Sequence, residues 1–161
     1  MPANLLKIHG VAETAVTKAI HMANDAPDAK IMRTGAYLTV INRHTQQVVL
    51  QVLIGAGPPE KVAKWRELSI EKAMRLLGFQ HLHHQTSYES QDETMERYPG
   101  AILGNDYVFS LSGLKGLDDE AAMFLVAIKC GQCDRNATLG RISEERNPQL
   151  RHFLDKIHWT E

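Results

Sequence analysis

Cysteine is scarce in this chain: Cys130 and Cys133 are the only two among 161 residues, too few for the disulfide frame of a small secreted domain. No run approaches the ~18 consecutive apolar residues that a membrane-spanning helix needs. The opening Met1-Pro2-Ala3-Asn4-Leu5-Leu6-Lys7 lacks the charged start and apolar run of a secretory signal. Charge of one sign is lacking too, since 18 Lys and Arg against 19 Asp and Glu leave a formal net charge of -1. That balance provides no field to gather phosphate backbones or anionic lipid, so neither nucleic acid nor a membrane is an expected partner. The cytoplasm is then the default compartment. Also absent are a Ser-His-Asp arrangement, a Walker loop, an HExxH helix and a dinucleotide fingerprint. The standard catalytic templates are unmatched, and no catalytic residue is assigned.

What is present reads as an ordinary globular domain, 43% hydrophobic and long enough to bury a core. Ile8, Val11, Ala12, Ala15, Ala19, Met22 and Ala23 recur at helical spacing, and Pro27 marks an end. Two β-rich runs follow, residues 37–41 and 48–54, joined by a polar link that predicts an antiparallel hairpin. The second run is apolar almost throughout, which predicts cover on both faces. A second helix is expected from Pro59 to Leu77, with Gly78 as its stop. Residues 79–97 are polar and carry no clear period. A second hairpin is predicted over residues 101–111, turning at Gly104-Asn105-Asp106. Asp118 is read as the cap of a central, nearly all-apolar helix through Ile128, followed by a loop. A last helix after Pro148 bears Leu150, Phe153, Leu154 and Ile157 on one face, with Trp159 beyond. This order predicts an α+β fold, a mostly antiparallel sheet flanked by helices. Residues 1–133 form the expected domain, and residues 134–161 a helical extension packed on it or on a neighbouring subunit. The apolar stripe of the last helix leads us to expect a homo-oligomer.

Glu71-Lys72-Ala73 in the second helix, Tyr98-Pro99-Gly100-Ala101-Ile102 before a hairpin, and Ser110-Leu111-Ser112-Gly113 ahead of Asp118-Asp119-Glu120-Ala121-Ala122 form an ordered set. In that order they resemble the HbpS-like family, also called haem-degrading or GlcG-like, over residues 9–131. The resemblance implies a profilin-like fold, oligomers and, in some members, binding of haem or a related tetrapyrrole. Lys72 stands where the family keeps a lysine. It is expected to pair with a ligand carboxylate or to snorkel from a half-buried face.

Candidate sites follow. Lys72, Arg97, Tyr98, Pro99, Gly100, Ser112 and Gly113 are expected to line one ligand cleft, with the Ser112-Gly113 turn presenting N–H groups to an anion. The alternative is a turn that needs glycine for its backbone angles, with Asp119 and Glu120 repelling an anion nearby. Eight histidines include His81, His83 and His84; in an extended segment His81 and His83 would share a face and could hold a metal or haem. The rival reading is a polar surface segment. His21 falls on the polar face of the first helix, away from the core. Cys130 and Cys133 have redox spacing, but at a helix C-terminus, where the dipole disfavours thiolate. Three functions follow from these features: a small-molecule-binding oligomer, with haem or another tetrapyrrole among the ligands; an enzyme acting on a small organic acid; or a scaffolding oligomer.

Overall fold

Ile8, Ala12, Ala15, Val16 and Ala19 form the buried face of helix α1 (Ala3–Asp25) in the computed structural model, which describes residues 3–157. Strands β1 (Gly35–Asn42) and β2 (Val48–Gly55) then pair antiparallel, as the polar link between them predicts. Helix α2 (Pro59–Gly78) begins with a proline, where no intrahelical donor is lost. Three short 3-10 turns, Gln80–Leu82, Ser87–Ser90 and Glu93–Met95, lead to a second hairpin of β3 (Ala101–Leu103) and β4 (Tyr107–Ser112). Helices α3 (Gly116–Lys129), α4 (Arg135–Arg141) and α5 (Pro148–Lys156) complete the chain.

The four strands form one sheet in the order β2-β1-β4-β3, and every neighbouring pair is antiparallel. This is an α+β fold with helices on both faces. Side chains alternate along β1, as the two-residue period of a strand requires. Ala36, Leu38 and Val40 join the core beneath α1 and α3, while Thr39 and Ile41 point to α2. Helix α3 is buried on nearly every side, from Asp118 to Ala127, because the sheet, α1 and α5 all pack against it. Leu150 and Phe153 of α5, with Ile157 just after it, are sealed in the same core, each contributing about 1.5–3 kcal/mol. The apolar stripe of the last helix is therefore used within the chain, against α3; Trp159 lies outside the described residues.

Three expectations change. Strand β2 is an outer strand covered on one face only: α1 packs on it, whereas α2 packs over β1, β3 and β4, leaving only Leu50 and Ile54 of β2 buried. Helix α3 starts at Gly116, before Asp118, with Lys115 as the capping position and Asp118 and Asp119 in the first turn. The expected loop after Gly131 contains α4, capped by Asp134, whose carboxylate accepts from the Ala137 N–H at 2.8 Å. Seven residues are too few to display a helical period. No described helix is long and apolar enough to cross a membrane.

Candidate functional site

Lys72 is 1% exposed, so its ammonium must be satisfied by the chain itself. Its Nζ donates to the Leu111 carbonyl at 2.7 Å and meets Asp119 Oδ2 at 3.1 Å. Asp119 Oδ1 in turn accepts from the Leu114 N–H at 3.1 Å. Burial pushes the Asp119 carboxyl up to about 6, with Lys72 pulling it back, and burial likewise lowers the Lys72 amine. Both shifts favour the uncharged forms, because the loss of water outweighs the attraction between the two charges. Gly100, at φ +135, passes so close that a Cβ would meet Lys72 Nζ and the Leu111 carbonyl, each at 2.7 Å. The structure thus does bring Lys72, Gly100 and the end of β4 together, but as a packed junction between α2 and α3.

The other predicted residues surround that junction. The Tyr98 carbonyl accepts from Arg75 Nη2 at 2.8 Å and from Ser87 Oγ at 3.0 Å, and Pro99 is buried against Gly116. Arg97 is half-buried; its backbone N–H and carbonyl both pair with Asp92, at 2.9 and 2.8 Å. Ser112 is 4% exposed, and the Gly113 carbonyl accepts from Arg33 Nη1 at 3.3 Å. Lys72, Arg97 and Ser112 line neither the cleft beside α4, nor the one between α1 and α5, nor the groove at the start of α2.

Glu120, fully buried, is held by Arg146 through contacts of 2.6 and 2.7 Å and by Asn147 Nδ2 at 2.8 Å. The Arg146 guanidinium lies 3.3 Å over the Tyr88 ring, a cation–π contact that pins residues 87–90 to the helix layer. Arg75 ties the same turn to α2 by bonding the Ser87 carbonyl and Ser90 Oγ. The polar segment after α2 is thus ordered by arginines, which periodicity cannot reveal.

That ordering builds a cleft of about 740 Å³ between the segment 79–86, the β3–β4 turn and α4. Its floor is apolar, with Phe124, Leu103 and Ile142. Its rim carries Arg43, Arg141, His83, His84, Gln80 and Gln132. Arg43 is aimed by bonds to the Gly104 carbonyl at 2.9 Å and to Gln80 Oε1 at 3.2 Å. Arg141 touches the His83 carbonyl at 3.4 Å and is otherwise exposed. The Asp134 carboxylate also lines the cleft but is occupied in capping α4.

The histidines do not lie on an extended strand. Gln80–Leu82 is a 3-10 turn and His83 is left-handed at φ 60, so the expected shared face of His81 and His83 does not form. His81 and His83 are exposed, whereas His84 lies against Phe79 with ring centroids 5.3 Å apart. His84 Nδ1 is sealed from solvent and has no hydrogen-bond partner, an unmet polar group in the cleft wall. Among the described residues, no group of three or more His, Cys, Asp or Glu could hold a metal ion. Cys133 lines the cleft with its thiol pushed up to about 11 by burial, and Cys130 is raised for the same reason. Neither favours thiolate, and the cause in both is burial, not the helix dipole expected from their place after α3. His21 is exposed on α1, also as predicted. Arg43, Arg141 and Phe124 come from three distant elements, and no spacing along the chain could have linked them.

No protein-family model matches the chain, and no curated protein matches it. Among solved structures the chain is similar to the crystal structure of Ybr137w protein. The two share 13% identity and a TM-score of 0.52, over 77% of this chain and 75% of that one. Similarity at that identity concerns the fold.

Proposed function

We propose that the protein binds a small organic anion with an apolar body in the cleft between segment 79–86 and α4. The observation that carries this reading is the pairing of two guanidinium groups, Arg43 and Arg141, with a floor of Phe124, Leu103 and Ile142. Arginine forks suit carboxylate or phosphate oxygens, and a volume near 740 Å³ falls within the about 300–1,000 Å³ typical of ligand sites. Membership of the HbpS-like family, with its profilin-like sheet, belongs to the same proposal. So does haem or another tetrapyrrole as one such ligand, a flat apolar body bearing carboxylates, with His83 or His84 beside it. Binding is preferred to catalysis on the same acids. The Cys133 thiol is held protonated, and the Asp134 carboxylate is committed to a helix cap.

Thermal shift and calorimetry with benzoate, 3-phenylpropionate, succinate and haem test the reading. At concentrations about 100-fold above Kd, a bound ligand adds about 2.7 kcal/mol to stability. Arg141→Gln, which removes a nearly free side chain, should weaken the anion roughly tenfold without changing the fold. If none of the four stabilises the protein, or if Arg141→Gln binds them equally, the cleft is not the site. An absorption band on haem titration separates the tetrapyrrole version from the simpler acids. Self-association through the open edge of β2, where Val48 is exposed and Leu53 half-covered, completes the proposal. A monomeric mass in light scattering removes that part.

A further inference from the structure

Three consecutive acids, Asp118, Asp119 and Glu120, are buried in the first turns of α3, at 7%, 1% and 0% exposure. Two of them have their cation: Asp119 has Lys72, and Glu120 has Arg146. Asp118 has no hydrogen bond or ion pair among the described residues. A carboxylate so buried is costly without donors, and burial does push its pKa up. The nearby cations are turned elsewhere. Arg33 bonds the Gly113 carbonyl, and Lys115 reaches out to Asp28 at 3.7 Å. The sealed, unpartnered side-chain atoms among the described residues come down to His84 Nδ1, so both Asp118 oxygens stay open to a neighbouring space. That space is a second cleft of about 1150 Å³ between the end of α1, the start of α3 and α5. Met22 and Phe153 give it apolar walls, while Lys30 and Lys156 stand around it together with the acids Asp25 and Glu144.

We propose that this second cleft binds a small zwitterion, whose ammonium supplies the partner that Asp118 lacks and whose acid group faces Lys30 and Lys156. A simple anion would leave the carboxylate unpaired and be repelled by it. A simple cation would leave Lys30 and Lys156 facing no acid group. The site lies on a different set of elements from the anion cleft and does not depend on it.

Isothermal titration with phenylalanine, lysine and γ-aminobutyrate tests the proposal, with 3-phenylpropionate as the probe that lacks the ammonium. At least one of the three zwitterions should bind, and the deaminated probe should bind at this cleft roughly tenfold more weakly or worse, the loss expected for one charge-assisted contact. Asp118→Asn keeps the shape of the side chain and breaks no bond within the chain. It should melt no lower than the parent yet erase the preference for the ammonium. Arg141→Gln should weaken 3-phenylpropionate at the first cleft and leave zwitterion binding unchanged, so the two sites succeed or fail separately. The proposal is overturned if all three zwitterions fail to bind, if the ammonium makes no difference, or if Asp118→Asn binds them as tightly as the parent.

Discussion

The two faces of the sheet are held by different physics. Beneath α1 and α3 the contact is almost purely apolar, with Ala12, Ala15, Leu38, Val40, Phe109, Leu111 and Met123 all buried. On the α2 side the apolar cluster is small, built on Ile41, Ala73, Leu76, Leu77, Ala101 and Val108. The rest of that contact is polar: Thr39 Oγ1 lies 2.7 Å from Ser69 Oγ, and Ser110 Oγ donates to the Ser69 carbonyl at 2.6 Å. At the end of the same helix face, Lys72 crosses to Asp119 on α3. Apolar packing is non-directional and tolerates substitution by volume. A buried polar contact demands its partner, and removing one side leaves the other stranded.

The largest effects should come from breaking that polar side unevenly. Lys72→Met strands the Asp119 carboxylate and should cost about 3–5 kcal/mol in urea unfolding, whereas Lys72→Met with Asp119→Leu should recover most of the loss. A loss in the double variant equal to the sum of the Lys72→Met and Asp119→Leu losses would show that the pair is not coupled. On the apolar side, Leu38→Ala should cost about 2–5 kcal/mol, with no single partner change able to restore it. Ser110→Ala removes the donor to the Ser69 carbonyl and should cost a smaller amount, about 1–2 kcal/mol in the same assay.

Proton linkage sharpens the contrast further. Asp119 is raised from 3.8 to about 6 in the fold, so between those values the folded carboxyl keeps a proton that the unfolded one has released. Its contribution to stability is therefore fully present below about pH 4 and lost as pH rises through about 6. Compared with the parent, Asp119→Asn should lack this downward slope in a series of denaturation curves across that window. The smallest effect is on reactivity. Cys133, at about 11, should react with a thiol reagent more slowly in the folded state than in urea, and equal rates would show that its burial is not maintained.

Much of the scaffold was legible from the order of residues. The alanine stripe of α1, the polar link between β1 and β2, Pro59 opening α2 and the apolar run of α3 each encode local structure through period or punctuation. The outer position of β2 was not legible, because an apolar run states that a strand avoids water, not which neighbours cover it. Helix α4 was missed because it spans only seven residues. At the candidate sites, Lys72 was singled out as a ligand-facing charge, yet Asp119, 47 positions away, is what meets its ammonium. Arg43 and Arg141 gave no signal, since each looks like any polar residue in its own segment.

By itself, then, the sequence determined which stretches form the longer helices and the strands and which of their faces seek the core, since these follow from spacing within a dozen residues. Tertiary structure alone decided which charges meet inside and which are left facing open space. Pairing of that kind joins residues from remote elements, as Glu120 with Arg146, and leaves Asp118 without a partner beside them. The cost of a buried charge depends on the three-dimensional neighbourhood, so only the folded chain could set it.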